Sequence, residues 1–251
     1  MDETQKEQEK NFFDYSYEAE ARKSVSKLYG VENSSGKYYE NILLANCSKK
    51  KILEYGCGTG SYAFTLSKYG TEVIGIDISE VAIKMSKEKA QNENLKNVDF
   101  FIMDAEAMHF ENRSFDLVCG SGILHHLNIE KASSELNRVL NSNGKAIFIE
   151  PMGYNPFINL FRKLTPHIRT KDEHPLILRD IHIMEKYFNK VECKYFNFFS
   201  LFTLPFRNLR FYSSLKRTFD KLDEYLFKKI PFMKFLAWQI VVVLEKPNLL
   251  K

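Results

Sequence analysis

The chain has 251 residues, of which 44% are apolar and 27% charged, and its net charge is +4. This length suits one large α/β domain with elaborations better than two small domains, and the ordinary composition excludes a chain that is disordered throughout. The small net charge argues against a dedicated nucleic-acid-binding protein.

The cysteines and the apolar stretches predict a cytoplasmic protein. The cysteines show no C-x-x-C spacing and no disulfide framework, so reduced thiols are expected at Cys47, Cys57, Cys119 and Cys193. The first ten residues contain no apolar run typical of a signal peptide. The longest uncharged stretches near the C-terminus have 12 and 10 residues, fewer than the ~20 that a membrane-spanning helix needs.

The start of the chain has helical character. The first ten residues are polar and are expected to fray, whereas apolar residues recur at helical spacing over 11–45. We predict that residues 1–45 form an N-terminal helical cap or lid over a ligand site and that residues 46–251 form the main domain.

A strand, a glycine loop and a second strand follow. The segment 50–61 places Gly56, Gly58 and Gly60 at alternate positions, so the backbone can turn sharply and approach a ligand closely. Asp77 lies 21 residues after the first of these glycines and is placed to accept hydrogen bonds from ribose hydroxyls. This pattern predicts half of a nucleotide-binding fold.

The loop differs from the fingerprint of a dinucleotide site. That fingerprint needs Gly or Ala at the position of Ser61, and Glu54 lies two residues before the first glycine. A carboxylate there repels a pyrophosphate but suits a ligand that carries an ammonium group. An NAD-dependent dehydrogenase is therefore disfavoured.

Strands and helices continue to alternate along the chain. Ser79 is the predicted cap of a helix that runs to about Asn94, and a further helix is predicted at about 130–140. Further strands are predicted at 98–104, 114–121 and 145–150. The alternation predicts a parallel sheet with crossovers on both faces and a ligand outside the carboxyl ends of the strands.

In the order and spacing of these motifs, residues 50–150 resemble the class I S-adenosylmethionine-dependent methyltransferases, in particular the small-molecule methyltransferase type 11 and ubiquinone-biosynthesis group. The resemblance implies an α/β fold with a Rossmann-like, doubly wound, seven-stranded sheet whose last strand is antiparallel. It also implies S-adenosyl-L-methionine as the cofactor, and the spacing and composition of the chain add an N-terminal helical cap and insertions after strands 5 and 6.

The resemblance also implies roles for individual residues. Glu54 would hold the methionine ammonium group, Asp77 the ribose, and Asp104 the exocyclic amine of adenine. The other cofactor-binding positions that it implies are Gly56, Gly58, Gly60, Ile78, Ala105 and Ser121.

The segment 120–127, directly after the fourth strand, contains the catalytic candidates. Its Ile-Leu-His sequence resembles that of phosphoethanolamine methyltransferases, in which the histidine works with an N-terminal tyrosine. This implies His125 as the general base, ahead of His126, with Tyr15 or Tyr17 as its partner. The unperturbed pKa of histidine, ~6.5, suits that task. The other histidine of the pair is expected to cap or pack the following helix.

A proline-rich stretch at 151–177 is predicted to be a functional insertion. Together with Tyr17, its candidate substrate-binding residues are Tyr154, Asn155, Arg162, Arg169 and His174. The two arginines could each bind a carboxylate or phosphate through paired hydrogen bonds. A solvated or loop-stabilising role for these polar residues is equally open. The spacing of the acidic residues and histidines matches no zinc or iron pattern, so no metal is predicted.

A second insertion is predicted at about 199–234. A helix at 178–188 and a sixth strand at 190–198 precede it, and a seventh strand at 235–245 follows it. Fourteen of the 35 aromatic residues lie between 195 and 238, and 207–234 holds eight Lys or Arg against three Asp or Glu. Such a segment suits an anionic membrane surface or a cover over a long apolar substrate. Packing of the aromatic rings against the sheet is the open alternative.

The sequence therefore predicts a cytoplasmic methyltransferase that acts by in-line displacement on a small-molecule or lipid-like acceptor, at oxygen, nitrogen or carbon, with peripheral membrane contact through 199–234. A catalytically silent binding scaffold remains an alternative. A nucleic-acid methyltransferase is disfavoured because the N/D-P-P-Y/F tetrapeptide is absent. The acceptor and the oligomeric state do not follow from the sequence.

Overall fold

A seven-stranded mixed sheet forms the centre of the protein in the computed structural model. Its strands are β1 (Lys51–Tyr55), β2 (Glu72–Asp77), β3 (Val98–Ile102), β4 (Phe115–Ser121), β5 (Leu140–Pro151), β6 (Phe188–Phe196) and β7 (Gln239–Pro247). They lie in the order β3-β2-β1-β4-β5-β7-β6, in which β7 runs antiparallel to β5 and β6 and the other neighbouring pairs are parallel. The structure describes residues 3–18, 34–60, 62–69, 72–166, 170 and 173–248.

Helices cover the sheet and its edges. They are α1 (Glu3–Glu18), α2 (Ser34–Asn46), α3 (Ala63–Leu66), α4 (Glu80–Asn92), α5 (Ile129–Val139), α6 (Pro156–Leu164), α7 (Leu178–Tyr187) and α8 (Tyr212–Lys229). The predicted cap of α4 is confirmed, because the Ser79 hydroxyl accepts the Ala82 N–H at 3.1 Å.

Both faces of the sheet are buried, which explains why its strands have nearly continuous apolar runs. On β1, Ile52 belongs to the core beneath α2, α3 and α4, whereas Leu53 belongs to the core beneath α5 and α7. Adjacent residues of a strand point to opposite faces, so a strand such as β1 contributes to both cores. The predicted doubly wound fold with an antiparallel last strand is confirmed.

The N-terminal region differs in part from its prediction. Helix α1 begins at Glu3, although the first ten residues were expected to fray. Its Lys6 forms an ion pair with Asp104, which gives this polar turn a partner on the main domain. Residues 19–33 lie outside the described part of the chain, and the division into a cap at 1–45 and a main domain stays a prediction.

The two insertions contain helical structure, and two strand boundaries shift. Strand β5 begins at Leu140 rather than 145, with an irregular register against β4 near its start. Strand β7 begins at Gln239 because a short 3₁₀ helix occupies Pro231–Leu236. A second 3₁₀ helix, Phe199–Phe206, precedes α8. None of the helices that the structure describes is long and apolar enough to cross a membrane.

Candidate active site

A cavity of about 290 Å³ opens at the carboxyl ends of β1, β2, β3 and β4, and α1 covers one side of it. Doubly wound sheets bind ligands outside the carboxyl ends of their strands, at the point where the strand order reverses, here between β1 and β4. Nine of the sequence-predicted residues line it: Tyr17, Gly56, Gly58, Asp77, Ile78, Asp104, Ala105, Ser121 and His126. The structure thus brings together most of the predicted cofactor positions.

The glycine loop forms the floor of the cavity. Gly56 and Gly58 have φ of +70° and +50°, in the left-handed region that residues with a Cβ rarely adopt. A Cβ on Gly58 would lie 2.5 Å from the Tyr17 hydroxyl oxygen, so α1 rests closely on this loop. Gly60 lies behind the floor, where a Cβ would meet the ring of Phe64 at 2.6 Å.

The thiol of Cys57, which is also part of the floor, is a poor nucleophile. Burial, followed by the nearby carboxylates of Glu54 and Asp77, raises the pKa of this thiol well above its ordinary value. The reactive form of cysteine is the thiolate, which these surroundings disfavour.

Glu54 lies beneath the loop and outside the residues that line the cavity. It is 2% exposed, and its two carboxylate oxygens accept the N–H groups of Tyr62 and Ala63 at 3.0 and 2.8 Å. These are the first backbone donors of the helix that follows the loop, and such donors have no partner within the helix. Glu54 therefore anchors the start of α3, and its contact with an ammonium group stays a prediction.

Asp77 ends β2 inside the cavity and ties two segments together. Its Oδ2 accepts the Gly58 N–H at 2.7 Å, and its Oδ1 accepts the Ser79 N–H at 2.9 Å. The carboxylate thus fixes the glycine loop against the start of α4. The contact of Asp77 with a ribose stays a prediction.

Asp104 and Ala105, just beyond β3, line the opposite wall. The Asp104 Oδ1 accepts the Glu106 N–H at 2.8 Å, and its Oδ2 pairs with Lys6 of α1. Partial burial opposes ionisation of Lys6, but the Asp104 and Glu106 carboxylates raise the pKa of its ammonium group overall. The carbonyl of Ala105 accepts a hydrogen bond from the buried Tyr55 hydroxyl. Lys6 of α1 therefore holds Asp104, the acid that was predicted to bind the adenine amine.

One face of α1 points into the cavity. Glu9, Phe13 and Tyr17, four residues apart, line it together. Tyr15 lies between Phe13 and Tyr17 in sequence but on the other side of the helix, and it is 68% exposed. The structure therefore does not bring this predicted catalytic residue to the site. Asp14 secures the helix, because its carboxylate accepts the Val81 N–H at 3.2 Å.

His126, rather than His125, lines the cavity. Its Nδ1 lies 3.0 Å from the Glu9 Oε1, and the Phe13 ring packs edge-on against it at 5.3 Å between centroids. Among the described residues, no bond to its other ring nitrogen, Nε2, is formed. Sequence reasoning missed Glu9, because the two residues lie 117 positions apart and no local pattern joins them.

His125 lies behind the cavity wall in a buried network. Its Nδ1 is 2.7 Å from the Glu150 Oε2, and the other oxygen of Glu150 accepts the N–H groups of Ile123 and Leu124. Its Nε2 is 3.8 Å from Glu173. Burial and the adjacent His126 lower the pKa of His125, against the effect of Glu150. This environment orients the segment after β4 instead of presenting a base to the cavity.

The predicted substrate residues of the first insertion lie outside the cavity lining. Tyr154 accepts the Leu178 N–H at 3.2 Å, and the fully buried Asn155 caps α6. Arg162 pairs with Glu173 at 2.8 Å, and the backbone N–H of the exposed His174 donates to the His125 carbonyl. Arg169 lies outside the described residues. These contacts indicate roles in holding the insertion together.

Metal ligands are not grouped in the part of the chain that the structure describes, where no three or more His, Cys, Asp or Glu side chains are arranged to hold an ion. The polar groups around the cavity are instead bonded to backbone N–H groups or to each other.

Comparison with known proteins identifies relatives of the central segment. A family model described as a methyltransferase domain matches residues 53–148. The ubiquinone/menaquinone biosynthesis C-methyltransferase UbiE of Zymomonas mobilis is 32% identical over 127 residues, which are 49% of this chain and 52% of that protein. The demethylmenaquinone methyltransferase of Lactococcus lactis is 37% identical over 103 residues, 39% of this chain and 41% of that protein. The chain spans about half the length of the curated relatives it matches.

The fold also has counterparts among solved structures. Phosphoethanolamine N-methyltransferase 2 of Haemonchus contortus, in complex with phosphomonomethylethanolamine and S-adenosylhomocysteine, has a TM-score of 0.60 and 22% identity. The match covers 83% of this chain and 53% of that one. At this identity the likeness is one of fold.

Proposed function

We propose that the protein transfers a methyl group from S-adenosyl-L-methionine to a small-molecule or lipid-like acceptor, and the match of residues 53–148 to a family model described as a methyltransferase domain supports this. The observation that carries the proposal is the cavity at the strand ends. It combines a glycine floor, the Asp77 and Asp104 carboxylates and a pocket-facing histidine under one covering helix.

The residues around the cavity suit this cofactor. Gly56 and Gly58 line the cavity without side chains of their own, so a ligand can approach their backbone closely. Asp77 and Ile78 line the cavity, and in this proposal Asp77 accepts hydrogen bonds from the ribose hydroxyls while Ile78 packs against the adenine. Asp104 can accept from the adenine amine when Lys6 withdraws from it. The cofactor, when bound, supplies a methyl group on a positively charged sulfur.

We assign the role of general base to His126. In the neutral tautomer its Nδ1–H donates to the Glu9 carboxylate, which leaves Nε2 as a proton acceptor. Deprotonation of an acceptor by a positioned base contributes ~10²–10⁴-fold to rate. The contact with Glu9 also fixes the orientation of the imidazole ring in the cavity.

The acceptor we propose is an apolar small molecule with an acidic hydroxyl or an activated carbon, such as a phenol or a reduced quinone. Apolar side chains of Phe13, Ile123 and Leu127 surround His126 in the lining. They exclude water and would align an apolar ring for in-line attack, which needs positioning more than additional catalytic groups. The printed names of the curated relatives, which include quinone methyltransferases, support this class.

Calorimetric titration with S-adenosyl-L-methionine and S-adenosylhomocysteine tests the cofactor. Asp77→Ala should weaken binding at least ~10-fold because it removes a charged hydrogen-bond acceptor. Asp99→Ala, which changes an exposed acid on β3, is the matched control and should bind as the unchanged protein does. If the unchanged protein binds neither compound, the scaffold alternative replaces this proposal.

Turnover with a reduced demethylated quinone tests the base. His126→Asn and Glu9→Gln should lower kcat without altering cofactor affinity, and His125→Asn should have the smaller effect on kcat at neutral pH. The opposite order would return the base to His125, the residue that the sequence favoured.

A further inference from the structure

Helix α6 presents its apolar side to solvent. Phe157, Leu160, Phe161 and Leu164 recur at i, i+3, i+4 and i+7 and therefore share one face of the helix. Their exposed fractions are 52%, 57%, 36% and 71%. A helix at the surface of a globular protein normally turns such a face inward, so this orientation is the reverse of the usual one.

Polar contacts fix α6 in this orientation. The Asn155 side chain accepts the N–H groups of Phe157 and Ile158, and it donates to the Leu236 carbonyl at 2.6 Å. Asn159, one turn later, donates to the Gly153 carbonyl at 2.7 Å. These bonds lie on the protein side of the helix, so the apolar side is held outward by the fold.

The apolar side of α6 continues into the second insertion. The rings of Phe157 and Phe202 meet edge-on, with their centroids 5.4 Å apart, and Phe202 is 47% exposed. Phe206 and Phe211, also exposed, pack against each other farther along the segment. We call Phe157, Leu160, Leu164, Phe202, Phe206 and Phe211 the lipid-facing surface.

The start of this second segment is held rigidly. The carboxylate of Asp223 on α8, 3% exposed, accepts the N–H groups of Phe198, Phe199 and Ser200 at 2.8–3.1 Å. The exposed rings are therefore displayed by a fixed backbone.

Basic side chains surround these apolar groups. Lys163 lies on α6 beside Leu164, and Arg207 and Arg210 flank Phe206 and Phe211; all three basic residues are exposed. The segment 207–234 carries eight Lys or Arg against three Asp or Glu, although the whole chain has a net charge of only +4. Three exposed basic side chains thus lie next to the exposed apolar residues, in or beside a segment with an excess of positive charge.

We propose that the lipid-facing surface docks the protein on an anionic membrane, with the apolar side chains among the lipid tails and the basic side chains at the headgroups. Apolar and basic groups side by side are what an interfacial helix needs. A second copy of the chain is the less suitable occupant, because two-fold pairing of this face would bring its own positive charges together. This inference is independent of the proposed methyl transfer.

Vesicle sedimentation tests the docking. The protein should sediment with phosphatidylglycerol–phosphatidylcholine vesicles at low salt, and much less with pure phosphatidylcholine or at high salt. The double variant Leu160→Ser, Leu164→Ser should bind at least ~10-fold more weakly, because both side chains lose apolar burial. Arg207→Gln with Arg210→Gln should weaken binding by about fivefold per side chain and flatten the salt dependence.

The matched control removes two exposed apolar side chains from the β3 side of the sheet. Met85 and Ile102 are 44% and 55% exposed, so Met85→Ser with Ile102→Ser should leave vesicle binding unchanged. Unaltered thermal unfolding would establish that each variant is folded. Absence of binding to anionic vesicles at low salt would overturn the proposal, as would binding that the serine variant on α6 retains. A dimer in sedimentation velocity that this variant abolishes, without vesicle binding, would assign the surface to a second copy.

Discussion

Replacement of Glu54 by Gln separates a structural role from a ligand-binding role. In the structure both carboxylate oxygens of Glu54 accept backbone N–H groups, from Tyr62 and Ala63. The substitution keeps size and shape but exchanges one oxygen for an amide NH₂, which cannot accept. One of the two N–H groups would then face another donor in a buried position.

The magnitude follows from these contacts. A hydrogen bond to a charged group contributes about 1.5–3 kcal/mol, and a buried donor without a partner costs about 1–3 kcal/mol. The two effects overlap, so we expect Glu54→Gln to lower the free energy of unfolding by about 2–4 kcal/mol. A domain with a stability of about 5–15 kcal/mol would still fold.

Urea unfolding without cofactor is the assay. Glu72→Gln is the control, because Glu72 is an exposed residue paired with Lys51 and such surface pairs contribute about 0–1 kcal/mol. If Glu54→Gln leaves the unfolding free energy within the range of this control but removes cofactor affinity, the anchor interpretation is refuted. Glu54 would then be the ammonium ligand that the sequence predicted.

Two further predictions concern the loop and the buried histidine. Gly58→Ala should lose about 1–2 kcal/mol through its positive φ, and it should also loosen α1 by pressing on the Tyr17 hydroxyl. Limited proteolysis of α1 and a double-mutant cycle with Tyr17→Ala measure this loosening of α1. A coupling free energy of zero would contradict the contact between position 58 and the Tyr17 hydroxyl. Because burial and His126 lower the pKa of His125 in the folded state, the unfolded chain takes up this proton first as the pH falls below ~6.5. The free energy of unfolding should therefore decline below that pH, by at most ~1.4 kcal/mol per pH unit. Urea unfolding from pH 8 to 5.5 should show a shallower decline for His125→Asn than for the unchanged protein. Equal declines would contradict the assignment of this pH dependence to His125.

The fold was predictable where local periodicity and spacing determine structure. Buried strands with glycine or acidic residues at their carboxyl ends, such as β1 before Gly56 and β2 ending at Asp77, locate the ligand site in any doubly wound sheet. These features depend on neighbours in sequence. For the same reason Ser79 was recognisable as a helix cap from a few residues of sequence.

The partners of the site were not predictable because they come from distant parts of the chain. Glu9 meets His126 and Lys6 meets Asp104 through the docking of α1, and helical periodicity shows which residues share a face but not what that face contacts. The choice between His125 and His126 depends on which ring the turn after β4 directs inward, and adjacent residues of one turn look alike in sequence.

The docking of α1 has a consequence for the exchange of ligands with solvent. Lys6, Lys10 and Glu9 bind three separate elements around the cavity: Asp104 beyond β3, Glu80 on α4, and His126 beyond β4. These contacts hold α1 over the cavity, so opening of one or more of them would widen the path by which a ligand enters or leaves. Since the two lysine pairs are only partly buried, dissolved salt weakens them. Exchange should therefore become faster as ionic strength rises, whereas most charged ligands associate more slowly under those conditions.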